Sequence, residues 1–144
     1  MSIKQLSVFL ENRPGKLFEL TALLAEKGID MRALSIAETT DFGIARLIVN
    51  DAYGAAQVLR EGQFIAQFSD VLAFAVPDEP GGLHHLLGEF NAAQVNIEYM
   101  YAFLGGGNAK HAYMIFRVQD TASAVSALNR KNIRIVDQDE ISLL

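Results

Sequence analysis

The stretch ENRPGKLFELTALLAEKGIDM, residues 11–31, is answered by PDEPGGLHHLLGEFNAAQVNI, residues 77–97. One turn-plus-helix phrase written twice constrains this chain more than any other feature, because each copy must build the same order of elements. With Pro14 set on Pro80, an offset of 66 residues, Gly15 meets Gly81, Leu17 meets Leu83 and Leu20 meets Leu86. Leu24 then meets Phe90, Ile29 meets Val95 and Leu34 meets Met100. Further on, Asp51 meets Asp120 at an offset of 69. The three extra residues fall in the region of LGGGNAK (104–110) in the second copy, around the place of TTDFG (39–43) in the first.

Each copy reads as β-α-β-β-α-β. Residues 3–10, IKQLSVFL, alternate imperfectly and predict a strand. Asn12 is placed to cap the helix that follows, with Pro14 in its first turn. Leu17, Leu20, Leu23 and Leu24 form one apolar stripe, and Gly28 ends the helix. Strands follow near Arg32–Ala37 and Ile44–Val49, with a loop at Thr39–Phe42. A second helix starts at Asp51, with Ala52, Ala55 and Leu59 on one side, and a last strand lies near Phe64–Ser69. The second copy predicts strands near Val71–Val76, Glu98–Leu104, Ala112–Gln119 and Ile133–Gln138, and helices near Gly82–Ala93 and Thr121–Asn129. The fold class is α+β: two ferredoxin-like units with antiparallel sheets, 1–69 and 70–144, joined near Ser69–Val71 with almost no linker. Both helices of such a unit lie on one sheet face. VLAFAV and AYMIFRV do not alternate, so both faces of those strands are expected to be buried.

Hydrophobic content of 51% against 20% charged supports a packed core. Either half alone is marginal in the area it buries, so the halves are expected to pack on each other or on a second chain. The net charge of −5 and the absence of any Lys/Arg run disfavour nucleic acid and anionic membranes as partners. There are no cysteines for disulfides, thiolate metal sites or nucleophiles. No long apolar stretch marks a signal peptide, and no run approaches 18 apolar residues. A cytoplasmic protein is the simplest expectation.

With the Pro-Gly turn and the element order in place, the chain resembles a tandem pair of ACT domains, ligand-binding modules of amino-acid metabolism. ENRPGKL…AEKGIDM is similar to the serine-binding regulatory domain of phosphoglycerate dehydrogenase and to the start of the acetolactate synthase small subunit. The likeness spans both copies and is stronger in the first. It implies a non-catalytic sensor that binds an amino acid at the turn and across a domain or dimer interface. The ligand-binding candidates are Leu10, Glu11, Asn12, Arg13, Pro14, Gly15, Lys16 and Leu17, with Asp30 and Met31 after the helix. In the resembling serine-binding domains the Asn at the Asn12 position holds ligand, as does a His two residues earlier. Here that earlier position is Leu10, which points to an apolar or aromatic amino acid rather than serine.

The physics of the turn stands beside the resemblance. A helix N-terminus attracts a carboxylate, and glycine admits close approach. The plainer reading is that Asn12 caps, Pro14 starts the helix and Gly15 turns. In the second copy Asp78 replaces Asn12 and Glu79 replaces Arg13, and two acids beside a helix N-terminus repel a carboxylate. Asp78 could hold an ammonium group, or the turn is structural only, the reading favoured. The second-copy candidates are Asp78, Pro80, Gly81, Gly82, Asn96 and Ile97.

Other patterns carry less. His84 and His85 are adjacent and diverge on a helix, and His111 stands alone, so no metal or other cofactor is expected. GGGNAK lacks the phosphate-loop spacing and reads as a hairpin loop. Tyr99, Tyr101 and Phe103 alternate as base-stacking residues would, but without basic companions they read as interface or pocket packing. No triad or paired-carboxylate frame is present, so no enzyme is expected. The expected assembly is a homodimer whose ligand shifts the population of one arrangement over another. Output passes through a regulated enzyme or transcription regulator, which is the main role in the alternative reading as a regulatory subunit.

Overall fold

The computed structural model describes residues 2–38, 40–103, 110–131 and 133–143. They form β1 (Ile3–Glu11), α1 (Lys16–Glu26), β2 (Met31–Glu38), β3 (Phe42–Val49), α2 (Ala52–Glu61) and β4 (Ala66–Pro77). Then come α3 (Gly82–Ala92), β5 (Ile97–Ala102), β6 (His111–Val118), α4 (Thr121–Asn129), β7 (Ile135–Val136) and α5 (Gln138–Leu143). The order β-α-β-β-α-β occurs twice, as tandem ferredoxin-like units with antiparallel pairing. The described residues divide into two compact units, built on Lys4–Ser69 and on Asp70–Ser142. Strand order is β2-β3-β1-β4 in the first and β5-β6-β4-β7 in the second.

Each unit has its own helix-on-sheet core, and the two cores match position by position. Leu6, Val8 and Leu10 of β1 pack with Leu20 and Leu24 of α1, with Leu47 and Val49 of β3, and with Ala55 and Leu59 of α2. The counterparts are Leu72, Phe74, Val76, Leu86, Phe90, Phe116, Val118, Ala124 and Leu128. Where the first core has Val8, Leu24 and Leu47, the second has a phenylalanine trio. Its rings meet edge to face, with centroids 4.9–5.6 Å apart, a favourable aromatic geometry. Both faces of the non-alternating strands are buried: Val71, Leu72, Ala73, Phe74 and Val76 in β4, and Tyr113, Ile115, Phe116 and Val118 in β6.

The helix ends explain themselves locally. Gly28 (φ 69°) closes α1 as expected, with the Gly28 amide donating to the Ala25 carbonyl and the Ile29 amide to that of Leu24. The same paired bonds close α2 and α3 at Gln63 (φ 66°) and Gln94 (φ 55°), where no glycine announces them. Asp51 caps α2 by accepting from the Gly54 amide, and Asp120 caps α4 by accepting from the Ser123 amide.

Several expectations need correction. Asn12 does not cap α1 and Pro14 is not in its first turn. The helix begins at Lys16 and Gly15 holds the N-cap position. The strands expected near Phe64–Ser69 and Val71–Val76 are one strand, β4, because nothing between them breaks the extended pattern. Phe42 belongs to β3 rather than to the preceding loop. The last strand is only Ile135–Val136, and Gln138 starts α5 instead. There the Asp137 carboxylate accepts from the Glu140 amide, an Asp-x-x-Glu helix start legible in the sequence. Thr39, Leu104 and the glycines of the expected GGGNAK hairpin loop lie outside the described residues.

Asp51→Ala is expected to cost about 0.5–2 kcal/mol and Phe90→Ala about 3–5 kcal/mol in urea unfolding. Hydrogen bonds from the Ser123 hydroxyl, then from its amide, hold the Asp120 carboxyl below its ordinary value. A depressed folded-state value means that Asp120's contribution is complete above about pH 4 and lost as the pH falls further. Asp120→Asn should remove that acid-side loss.

Candidate functional site

The two turns agree bond for bond. After β1, the Asn12 amide donates to the Asp41 carbonyl (3.1 Å), Arg13 to Glu11 (2.9 Å), Lys16 to Arg13 (3.4 Å) and Glu19 to Gly15 (2.9 Å). In the second unit Asp78 donates to Lys110 (3.0 Å), Glu79 to Pro77 (2.9 Å), Gly82 to Glu79 (3.1 Å) and His85 to Gly81 (2.9 Å). Gly15 and Gly81 have φ of 92° and 87°. A Cβ on either would meet nothing within 4 Å. Glycine is therefore required by the left-handed backbone, not by crowding. Because glycine has no side chain, neither α1 nor α3 receives a side-chain cap. Their first-turn N–H groups keep the positive end of the helix open to an anion.

In the first unit a cavity of about 170 Å³ opens beside this turn. Leu10, Glu11, Asn12, Arg13, Lys16 and Leu17 line it, all candidates from the sequence, together with Ile36, Glu38 and Gly43. Strand register explains the hollow. Leu10 pairs with Gly43, and Gly43 with Glu38, so the three form one row across β1, β3 and β2. Directly opposed residues share a sheet face. Gly43 thus leaves a gap between the Leu10 and Glu38 side chains. Charges around the cavity are mostly engaged: Arg13 with Glu11 at 2.9 Å and Lys16 with Glu19 at 3.3 Å. The Asn12 side-chain amide donates to the Thr40 carbonyl at 3.3 Å, tying the turn to the β2–β3 connection. The Glu38 side chain makes no ion pair or hydrogen bond among the described residues. A second hollow of about 370 Å³ shares Glu11 and Lys16 and is walled by Phe9, Phe42, Phe64 and Ile65. There the Phe9 and Phe42 rings stack at 4.9 Å and the Lys16 ammonium lies 5.6 Å from the Phe64 ring centre.

Pro14 and Gly15 shape the turn without lining the smaller cavity. Asp30 and Met31 stand at the far end of α1, whose 11 residues span about 16 Å. There the Asp30 amide donates to the Asn50 side chain and its carboxylate pairs with Arg32 at 3.1 Å. Within one unit they cannot meet a ligand held at the turn. In the second unit Asn96 and Ile97 are likewise beyond the far end of α3, where Asn96 lines a separate cavity of about 140 Å³. Gly82 and Pro77 line a hollow of about 160 Å³ with His85, Glu89 and Arg134, and Asp78, Pro80 and Gly81 do not. A Cβ on Gly82 would collide with the Pro77 carbonyl oxygen, so this turn is drawn tight onto its strand where the first has Lys16. Gly43, moreover, is replaced by Ala112 at the 69-residue offset. Among the described residues no three His, Asp or Glu side chains cluster as metal ligands would, and no helix is long and apolar enough to cross a membrane.

The family model of the ACT domain pair matches residues 1–144. The chain belongs to the ACT domain pair family. As such a pair it is similar to protein BT0572 from Bacteroides thetaiotaomicron, at 38% identity over 100% of this chain and 98% of that one, with a TM-score of 0.92. The regulatory subunit of aspartate kinase from Thermus thermophilus, in its ligand-free form, shares the fold at 14% identity and a TM-score of 0.61, over 88% and 90% of the two chains. The aspartokinase alpha and beta subunits do so at 11% identity and a TM-score of 0.56, over 91% and 92%. No curated protein gives a match.

The geometry of this ACT domain pair predicts an order of sensitivity in its turns. Gly15→Ala should cost about 1–2 kcal/mol, the strain of a left-handed alanine. Gly82→Ala should cost more, because a backbone oxygen must move. Lys16→Ala should cost least. Urea unfolding of the three variants gives the ranking.

Proposed function

We propose that this ACT domain pair is a non-catalytic sensor of an apolar amino acid, held in the Gly43 cavity beside the first-unit turn. One observation carries the reading: the cavity unites the uncapped end of α1, the Asn12–Lys16 turn and the Glu38 carboxylate, which has no side-chain partner among the described residues. An open helix end suits the ligand's carboxylate. Leu10, Leu17 and Ile36 suit an apolar side chain. The second unit has a tighter turn and Ala112 in place of the glycine gap, so its turn serves structure. Residues 1–69 and 70–144 act as the two domains.

Output passes to another molecule, a second copy first and then a regulated enzyme or transcription regulator of amino-acid metabolism. Phe18 is 78% exposed on α1 and Ile65 67%, apolar area that favours a covering chain. Light scattering should give a dimer, and the mass of one chain, 15.8 kDa, at high concentration would contradict it. The same exposed side chains favour the second reading, a regulatory subunit whose protein partner would copurify.

A thermal-shift panel of free amino acids tests the sensor. At one hundred times its dissociation constant a ligand of the folded state adds about 2.7 kcal/mol, roughly 5–10 °C for a chain of this size. An apolar amino acid should exceed serine, Asn12→Ala should abolish the shift, and Asp78→Ala should leave it. No shift with any amino acid would overturn the sensor reading. Loss of the shift in Asp78→Ala but not in Asn12→Ala would move the site to the second unit.

A further inference from the structure

We infer that Glu38 and Gly43 set the specificity of this cavity: Glu38 takes the ligand's ammonium group, and the Gly43 gap takes a short branched aliphatic side chain. This rests on the reading of the first-unit turn as an amino-acid site.

The charge argument is one of elimination. Two carboxylates line the cavity, Glu11 and Glu38. Glu11 is held by Arg13 at 2.9 Å. Glu38 has no cation among the described residues, and it stands at the end of the register row that begins at Leu10. An ammonium at the cavity mouth would meet the exposed Glu38 side chain, while the ligand carboxylate faces the first-turn N–H groups of α1. The two ends of a zwitterion are thus matched by groups on opposite walls.

The size argument follows from volume. A cavity of 150 Å³ holds about the six carbons of benzene. This one is about 170 Å³ and must also admit the ligand's α-carbon with its charged groups near the mouth. Three or four side-chain carbons fill what remains. An aromatic ring would extend beyond this volume. The floor is Gly43, where an added Cβ would lie 3.4 Å from the Ala37 carbonyl oxygen and 3.7 Å from the Ile36 side chain, ordinary contact distances. Alanine is therefore tolerated by the fold but takes up ligand space. The second unit already carries that change at Ala112.

Calorimetric titration of the full chain with leucine, valine, alanine, serine and phenylalanine tests this, with 4-methyl-2-oxopentanoate as the leucine analogue that lacks the ammonium group. Leucine or valine should bind best. Glu38→Gln should weaken leucine about tenfold or more, the loss of a charge-assisted bond, and leave the oxo acid unchanged. Gly43→Ala should weaken leucine more than alanine, reversing or narrowing their order. Tightest binding of phenylalanine or serine, or a leucine affinity within about twofold in Glu38→Gln, would overturn the specificity assignment and leave the amino-acid site standing. Absence of binding by every amino acid to the unmodified chain would instead overturn the site itself.

Discussion

A chain that leaves a strand and enters a helix through a left-handed residue has no side chain there to cap the helix. Gly15 imposes that condition on the first unit and Gly81 on the second. The rest of each unit follows from it. The reversal lays α1 and α3 back across their sheets, so Leu20 and Leu24, or Leu86 and Phe90, reach the central strands. The same reversal leaves the helix N-terminus without a side-chain cap to compete with a ligand. Packing and binding potential thus come from one backbone conformation.

What distinguishes the units is how they fill the space around this shared frame. The second unit brings larger groups inward, with the Phe74–Phe90–Phe116 trio in its core and Ala112 in the strand row. It also pulls its turn inward, with Gly82 seated against the Pro77 carbonyl. The first unit keeps smaller aliphatic groups in its core, Lys16 at the helix start and Gly43 in the row. Two copies that share the backbone hydrogen bonds of the turn therefore differ in cavity shape. Side-chain volume, not topology, is what differs between the two turns.

Much of this was legible in the sequence. The repeat at 66 residues, the element order and the turn residues are all written in it, and the family follows from them. The helix start was misread because Asn12, Pro14 and Gly15 satisfy the rules for a capped helix one turn early, and only the sign of φ at Gly15 decides otherwise. The sequence predicts two strands running nearly straight into one another near Ser69–Val71, and the structure makes them one, β4, because a strand shared by two copies has no boundary signal. Ile36, Glu38 and Gly43 were missed because their meeting with Leu10 depends on register across three strands, which local pattern does not carry. The start of α5 was the one omission with a local signal, Asp137 followed by Glu140.

The central claim is that the first turn receives an amino acid and the second does not. Backbone amide shifts of the full chain, followed by NMR during a leucine titration, test it directly. The account predicts saturable shifts at Leu17, Phe18, Ile36, Glu38 and Gly43, with Leu83, His84 and Ala112 unmoved. Shifts centred on Leu83 and His84, or none at either turn, would contradict it.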